Sequence, residues 1–258
     1  MPVYVIADLH GASDALDGAV PQGATLLLLG DLVNFLDYIS MTGILTEVFS
    51  VETVSEVVDL RTAGRIEEAR AVMRERSRGR EDEIRTQIGR LVTRQYEEVF
   101  AALPDPTYLI LGNVDNPALA EAFAKRTPAA RLVTAGVVEL EGERFGLVGG
   151  ALPTPLDVAG EVPPEEMRAR IDSLGEVDVL CSHIPPSIPE LCFDTVSGKR
   201  EQGSDDLLEY ICDVQPRRAY FGHVHQPLVS VMTVGRTVCV NVGYFRSTRR
   251  AFPHQRRG

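Results

Sequence analysis

The sequence predicts an α/β protein whose central strands are buried on both faces. Five short runs are almost entirely apolar, which is typical of strands that are covered on both sides. Most of these runs are separated by segments long enough to hold crossover helices. Each run is followed at once by polar residues, and open α/β sheets bind their ligands beyond the carboxyl ends of the strands. We therefore expect the functional site at that edge.

The five runs predict strands at residues 3–7, 25–29, 108–111, 177–181 and 219–221. The residues that follow them are Asp8-Leu9-His10, Gly30-Asp31, Gly112-Asn113, Ser182-His183 and Gly222-His223-Val224-His225. Residues two apart in an extended chain point the same way, so Asp8 and His10 can present two groups to one site. The same holds for His223 and His225. A glycine before the polar residue, as in three of the five, permits a tight turn.

Two hairpins add antiparallel strands to this pattern. The first joins residues 136–140 to 144–149, and the second joins residues 228–234 to 237–242 through Gly235-Arg236. Short β-rich runs separated by such turns are typical of hairpins. A second sheet packed on the first is therefore expected.

The segment 40–103 predicts two or three helices inserted between the second and third strands. It is rich in Glu and Arg and has no proline, and its apolar residues recur at helical spacing. Its charged residues predict a solvated helix face. A cap that selects substrates and a contact that pairs two subunits are both compatible with the segment, and the sequence does not decide between them.

The composition limits the classes of partner. The formal net charge is −11, so non-specific binding to nucleic acid or to an anionic membrane is not expected. Four cysteines without a C-x-x-C pair do not predict a disulfide framework. The first residues do not resemble a signal peptide, and no apolar run approaches the length of a membrane span. The expected location is cytoplasmic.

Seven polar residues at the strand ends predict a centre for two divalent metal ions. Two ions close together need many nitrogen and oxygen ligands and a shared anionic bridge. Carboxylates can bridge, and imidazole suits Mn, Fe, Ni, Co and Zn. The candidate ligands are Asp8, His10, Asp31, Asn113, His183, His223 and His225. Each fragment is a weak signal alone, but all five occur in order after a strand. His254, the fifth histidine, lies in a basic tail over about 247–258 that is expected to be flexible.

These fragments resemble the five motif blocks of the calcineurin-like metallophosphoesterase superfamily. That family has D-x-H, G-D-x-x-D/N, G-N-H-D/E, a lone histidine often before proline, and G-H-x-H. Here the blocks are Asp8-Leu9-His10, Gly30-Asp31-Leu32-Val33-Asn34, Gly112-Asn113-Val114-Asp115, Ser182-His183-Ile184-Pro185-Pro186 and Gly222-His223-Val224-His225. Together they span residues 8 to 225, most of the chain, and as a set they are highly specific.

The resemblance implies a single domain over 1–258 with a four-layer α-β-β-α sandwich of two mixed sheets and the helical insertion. It implies a first metal site of Asp8, His10, Asp31 and His225. It implies a second of Asp31, Asn113, His183 and His223, with Asp31 bridging. Manganese or iron is favoured among the transition metals. The implied reaction is hydrolysis of a phosphate ester by a hydroxide that bridges the metals, with catalytic roles for His10, Asp31 and Asn113.

The third block departs from the family pattern. Val114 stands where the family has a histidine that contacts the phosphate and assists the leaving oxygen, and valine cannot donate a proton. Asp115 is then expected to orient a metal-bound histidine from behind. Asn34, which ends the second block, is expected to support the site without binding metal. The turn Asn241-Val242-Gly243 resembles a structural turn of the family.

The resemblance favours a phosphodiesterase over a phosphomonoesterase, because members that lack this histidine tend toward diesters. A small phosphate ester, nucleotides included, is the expected substrate, and a homodimer through the insertion is a further expectation. The alternative from another class is a catalytically silent scaffold that binds proteins, which Val114 favours and the intact ligand set opposes. DNA processing is not expected, because the chain has no basic stripe.

Overall fold

The computed structural model describes residues 1–154 and 158–255. Over these residues the protein is mixed α/β, with two large mixed sheets, as the sequence predicts. The strands are β1 (Val3–Ile6), β2 (Thr25–Leu29), β3 (Thr107–Ile110), β4 (Ala130–Leu132), β5 (Ala135–Leu140), β6 (Glu143–Val148), β7 (Val179–Ser182), β8 (Phe193–Asp194), β9 (Lys199–Arg200), β10 (Arg218–Phe221), β11 (Val231–Val234), β12 (Thr237–Asn241) and β13 (Phe252–Pro253). The helices are α1 (Leu16–Ala19), α2 (Ile44–Val48), α3 (Val51–Thr62), α4 (Ile66–Ser77), α5 (Glu81–Ala102), α6 (Pro117–Ala124), α7 (Pro164–Asp172), α8 (Pro189–Cys192), α9 (Asp205–Val214) and α10 (Phe245–Thr248).

The chain forms two compact units. One comprises Met1–Leu32 and the chain from Glu98 onward, and the other comprises Val33–Glu97. The second unit overlaps the predicted insertion 40–103, but it begins before residue 40 and ends before residue 103. The single-domain reading and the cap-like role of the insertion stay predictions.

The first sheet has the order β13-β1-β2-β3-β4. Strands β1 to β4 pair in parallel, and only β13 is antiparallel. All five residues of β2 are buried, because β2 lies in the middle of the sheet. The parallel pairing brings the carboxyl ends of β1, β2 and β3 to one edge.

The second sheet has the order β11-β12-β10-β7-β6-β5. Its four central strands pair in parallel. The outer pairs β11–β12 and β5–β6 are antiparallel, which confirms both predicted hairpins. The two-stranded β8–β9 ribbon is a third hairpin that the sequence analysis did not predict.

The two sheets share one apolar core. Leu27 and Leu29 of the first sheet lie in the same cluster as Phe145 and Tyr220 of the second. Leu26 and Leu28 alternate with them and are also fully buried, so the outer face of the first sheet is covered as well. A separate cluster packs the second sheet against α7 and α9. Sheets inside and helices outside are the predicted sandwich.

Hydrogen bonds and ion pairs stabilise the helical unit. The Ser50 hydroxyl caps α3 by accepting the backbone N–H of Thr53. The backbone N–H of Asn34 donates to the Gln95 side chain at 2.7 Å. On the exposed surface, Arg65 pairs with Glu68 and further ion pairs follow along α4 and the start of α5. These pairs agree with a solvated helix face.

The C-terminal segment corrects the flexible tail predicted over about 247–258. Through Gln255 it is folded, because β13 pairs with β1. The buried His254 ring places Nδ1 3.0 Å from the Tyr220 hydroxyl and Nε2 2.9 Å from the Glu143 carboxylate. The sequence did not predict these contacts, because the segment is basic and both partners are distant in sequence. Residues 256–258 of the predicted tail lie outside the described residues.

Two bulk features complete the description. Among the described residues, no helix combines the length and apolarity needed to cross a membrane. All four cysteines are free thiols, and three of them are buried. No disulfide framework supports the fold, which therefore depends on its apolar cores.

The His254 contact predicts a pH-dependent loss of stability. Burial lowers the pKa of the His254 ring below its usual value, against the opposing effect of Glu143. The unfolded chain then takes up a proton at a pH where the folded chain does not. The contribution of His254 to the free energy of unfolding is therefore fully present above pH about 6.5 and is lost as the pH falls below it. In metal-stripped protein, the free energy of unfolding measured with urea should decrease more between pH 7.5 and pH 5.5 in the wild type than in His254→Asn. Parallel pH profiles of the two proteins would contradict the prediction.

Candidate metal centre

Five loops from both sheets meet at one place. They follow β1, β2 and β3 of the first sheet and β7 and β10 of the second, and each begins at or just beyond the end of its strand. The loops carry all seven candidate ligands, which are buried or half-buried. The facing edges of the two sheets therefore place residues more than 200 positions apart in sequence in one site.

One group of candidate ligands lies beside Oδ2 of Asp31. Ligand atoms of Asp8, His10, Asp31 and His225 all lie within 4.8 Å of one another. The Nε2 atoms of His10 and His225 are 3.2 Å apart, and Nε2 of His10 lies 3.5 Å from Oδ2 of Asp31. Two imidazoles and two carboxylates at such distances can surround one divalent cation.

A second group faces the other oxygen of Asp31. The Oδ1 atom of Asn113 lies 3.0 Å from Nε2 of His183 and 3.1 Å from Nδ1 of His223. Nε2 of His183 is 3.5 Å from Oδ1 of Asp31. The two oxygens of Asp31 therefore face different groups of candidate ligands.

The hydrogen bonding of His183 fits a metal ligand. Its Nδ1 lies 2.8 Å from the carbonyl oxygen of Leu29 and donates to it. Nε2 of the neutral ring then carries a lone pair, which faces the Asn113 oxygen. Two lone pairs at this distance repel each other unless a cation lies between them. A backbone carbonyl that fixes the tautomer of a ligating histidine is a usual feature of metal sites.

Burial sets the protonation of these groups. It lowers the pKa of His183 to about 4, and it lowers the pKa of His223 well below its usual value. Both rings are therefore neutral and able to bind metal. Burial raises the pKa of Asp31 to about 7. Burial, together with the nearby Asp31 charge, also raises the pKa of Asp8 well above its usual value. A bound divalent cation would favour the ionised carboxylates.

Four of the seven candidates have left-handed backbone conformations. The φ angles are 56° for Asp8, 40° for His10, 55° for Asp31 and 68° for His223. Left-handed conformations cost a non-glycine residue about 1–2 kcal/mol each. Such strain persists where the surrounding structure enforces it, and it concentrates at functional sites.

Two of the preceding glycines are required by close packing. A Cβ atom on Gly112 would lie 2.1 Å from Oδ1 of Asp31, and one on Gly222 would lie 2.6 Å from Oδ2 of Asp8. Real Cβ contacts are never this short, so any side chain here would displace a carboxylate. The role predicted for these glycines, a close approach of the backbone to the site, therefore has a steric basis.

Asp115 holds two of the loops together. Its carboxylate accepts backbone N–H groups from Asp31 at 2.9 Å, from Leu32 at 2.8 Å and from Gly112 at 2.8 Å. The expectation that Asp115 orients a metal-bound histidine stays a prediction. Its hydrogen bonds to Asp31, Leu32 and Gly112 join it to backbone, and Nδ1 of His183 donates to the carbonyl of Leu29. The backbone role was not visible in the sequence because it depends on how the loops meet.

Asn34 belongs to the helical unit. Its side-chain amide donates to the carbonyl of Thr42 at 3.3 Å, and its backbone N–H donates to Gln95. These contacts explain why the residue is buried. Its predicted support of the metal site stays a prediction.

Three residues at or just after the end of β12 contact the site and were not predicted to do so. The Asn241 amide donates to the carbonyls of Gly222 and Val224 at 3.3 and 2.9 Å, so it clamps the loop that carries two histidines. The Tyr244 ring stacks on the ring of His225, and the Arg246 guanidinium donates to the carbonyl of His10 at 2.7 Å. Their position in the sequence could have indicated these contacts, because β12 follows the last motif and the turn after it resembles a turn of the family.

Comparison with known proteins identifies a family for this chain. A family model described as calcineurin-like phosphoesterase matches residues 1–227. A solved structure of a protein of unknown function from Aquifex aeolicus is 12% identical, covers 98% of this chain and 95% of its own, and has a TM-score of 0.42. The structure of an archaeal phosphodiesterase is 11% identical, covers 96% of this chain and 87% of its own, and has a TM-score of 0.40. With TM-scores below 0.5, neither likeness supports a functional conclusion. A search of curated protein sequences finds no match.

Gly160 is packed directly against the loop that carries Asn113. Its backbone N–H donates to the carbonyl of Asn113 at 2.9 Å. A Cβ atom at this position would lie 1.8 Å from the carbonyl oxygen of Gly112. Because the obstructing atom is backbone, an added methyl group must push the Asn113 loop out of place.

We therefore expect Gly160→Ala to weaken divalent-metal binding by about 10–100-fold, the usual effect of disturbing groups that support a ligand. Titration of manganese into metal-stripped protein measures the change. Gly18→Ala is the matched control, since no atom lies within 4 Å of its added Cβ. Unchanged manganese affinity in Gly160→Ala would show that the loop does not position the ligand.

Proposed function

The chain belongs to the calcineurin-like phosphoesterase family, and we propose that it hydrolyses phosphodiesters with two divalent cations held around Asp31. The observation that carries the proposal is the position of this carboxylate. Its Oδ2 faces His10 and its Oδ1 faces His183, each at 3.5 Å. A bridging carboxylate between two nitrogen-rich groups is the arrangement that two-metal hydrolysis requires.

Under this proposal the ligands divide into two sets that share Asp31. Asp8, His10 and His225 complete the first set, and Asn113, His183 and His223 complete the second. When bound, the cations would lower the pKa of a water molecule and neutralise charge on the phosphate oxygens. Imidazole nitrogens favour transition metals over magnesium or calcium, which supports Mn, Fe, Ni, Co or Zn, with manganese or iron preferred.

The protein's own contribution is to hold these side chains in place before substrate arrives. The backbone N–H of Val114 donates to Asp31 at 3.1 Å, and the backbone N–H of His223 donates to Asp8 at 2.9 Å. Both carboxylates are therefore held in place by backbone groups before any ion binds. Preorganised charge of this kind is usually a large part of catalysis.

Val114 supports a diester over a monoester as substrate. Its side chain follows Asn113 directly and can neither donate a proton nor carry charge. A leaving group must then depart without help from this position. A diester presents less negative charge than a monoester dianion, so it depends less on a cationic side chain at the same place. Small nucleotide diesters belong to this substrate class.

The proposal is tested by hydrolysis of bis-p-nitrophenyl phosphate beside p-nitrophenyl phosphate. Metal-stripped protein is restored with Mn, Fe, Ni, Co or Zn in turn. We expect metal-dependent turnover that is faster on the diester. Two bound ions without turnover of either ester would support a silent scaffold instead, and faster turnover of the monoester would support a phosphomonoesterase.

Asp31→Asn should abolish this activity. The substitution keeps the shape of the side chain but removes the bridging charge, so at least one ion should be lost. Turnover should fall by about 10³-fold or more, because metal stabilisation of the transition state is worth several kcal/mol. Asp17→Asn, at an exposed position, should retain both ions and full activity. Wild-type turnover in Asp31→Asn would rule out the bridging role.

Val114→His should shift the enzyme toward poorer leaving groups. A general acid typically contributes about 10²–10⁴-fold, so we expect at least about tenfold faster hydrolysis of alkyl or aryl monoesters with poor leaving groups. The gain should decline at high pH as the histidine loses its proton. Val114→Leu is the control without a proton to donate. An equal change in both variants would assign the effect to packing.

A further inference from the structure

We propose that Tyr244 is a positioning residue for the first metal site, the one formed by Asp8, His10, Asp31 and His225. The inference rests on the proposed function, because it assumes that this group binds a cation. No motif of the family resemblance includes Tyr244. Its place in the structure, against two histidine rings of one site, assigns it the role.

Tyr244 contacts both histidines of the first site. Its ring is stacked on that of His225, with the centroids 4.0 Å apart and the planes 3° from parallel. Its edge meets the ring of His10, with the centroids 5.6 Å apart and the planes at 78°. The two histidines in turn meet edge to face at 5.0 Å. The three rings form one packed group, in which Tyr244 determines the plane of His225.

The position of Tyr244 is itself coupled to the ligand loop after β1. Tyr244 forms a parallel bridge with Ala7, and the next residue, Phe245, donates its N–H to the carbonyl of Ala7 at 3.2 Å. The N–H of Arg246 reaches the carbonyl of Asp8 at 3.3 Å. The Tyr244 side chain is 4% exposed, so it has little freedom to move. Movement of this turn would therefore shift the plane against which His225 packs.

The second metal site has different support. The rings of His183 and His223 pack against each other, with the centroids 5.2 Å apart and the planes at 68°, and Leu29 fixes the His183 tautomer. His225 is half-buried, so without a flat partner its ring can rotate away from His10. Removal of the Tyr244 ring should then affect the first site selectively.

The test measures binding of manganese alone to metal-stripped protein by calorimetry, with metal content measured separately. The wild type should bind two ions per chain. Tyr244→Leu should bind one ion about tenfold or more weakly, the usual size of such an effect, and leave the other within about threefold. Tyr244→Phe keeps the ring and should restore both affinities. Tyr244→Met is a second non-aromatic variant of similar volume in case the leucine variant does not fold.

Tyr210→Leu is the matched control for loss of a buried tyrosine. Tyr210 packs in the cluster formed with α7 and α9, and its hydroxyl donates to the carbonyl of Gly175. This variant should lower the melting temperature without changing either manganese affinity. If Tyr244 had only a structural role, its substitution would likewise lower the melting temperature without weakening one manganese affinity more than the other.

Three results would overturn the inference: wild-type affinities in both non-aromatic variants, equal weakening of both ions, or a phenylalanine variant as defective as leucine. Because binding is measured without substrate, the outcome is separate from turnover. Selective loss of one ion in a protein that hydrolyses no ester would refute the proposed function and uphold the role of Tyr244. A wild type that binds fewer than two ions would refute both.

Discussion

The burial of three carboxylates within one small volume is the constraint on which the site depends. Asp8, Asp31 and Asp115 are each at most 3% exposed, and burial of unpaired charge is costly. Each carboxylate accepts backbone N–H groups from a loop other than its own. These bonds tie the loop after β1 to the loop after β10, and the loop after β2 to the loop after β3. Compensation of the buried charge and alignment of the ligands are thus achieved by the same contacts.

The remainder of the fold serves to maintain this arrangement. Left-handed backbone at four ligand positions favours relaxation of the loops, and glycines without room for a methyl group show how closely these loops are packed. The loops cannot relax, because each leaves a strand whose apolar residues lie in the core shared by the two sheets. Packing far from the ligands therefore maintains strain at the ligands, which is the usual relation between a rigid scaffold and a functional site.

The sequence predicted the parts of this structure that depend on local pattern. Strands β2 and β10 were found because apolar runs end in glycine and a polar residue, and the seven candidate ligands converge as their positions at strand ends implied. The hydrogen bonds of Asp115 to the backbone of Asp31, Leu32 and Gly112 were not predictable, since backbone groups carry no sequence signal. Tyr244 was missed for a similar reason, because its stacking on His225 depends on the parallel pairing of β10 and β12. The folded segment through Gln255 was missed because its basic composition suggested a flexible tail. The two partners of His254 are distant in sequence and gave no local signal.

The energetic cost of the site bears on whether the protein is an enzyme or a scaffold. A surface that binds proteins requires neither buried carboxylates nor strained backbone beneath it, and substitution of either would stabilise the fold. Retention of both is explained if cations occupy the site, since bound cations offset the buried charge. Val114 removes only a proton donor that stands beside the ligands, and its backbone N–H still supports Asp31. Under the proposed function, valine at this position would change the leaving groups that the site accepts without removing any candidate metal ligand, which favours a phosphodiesterase over a scaffold.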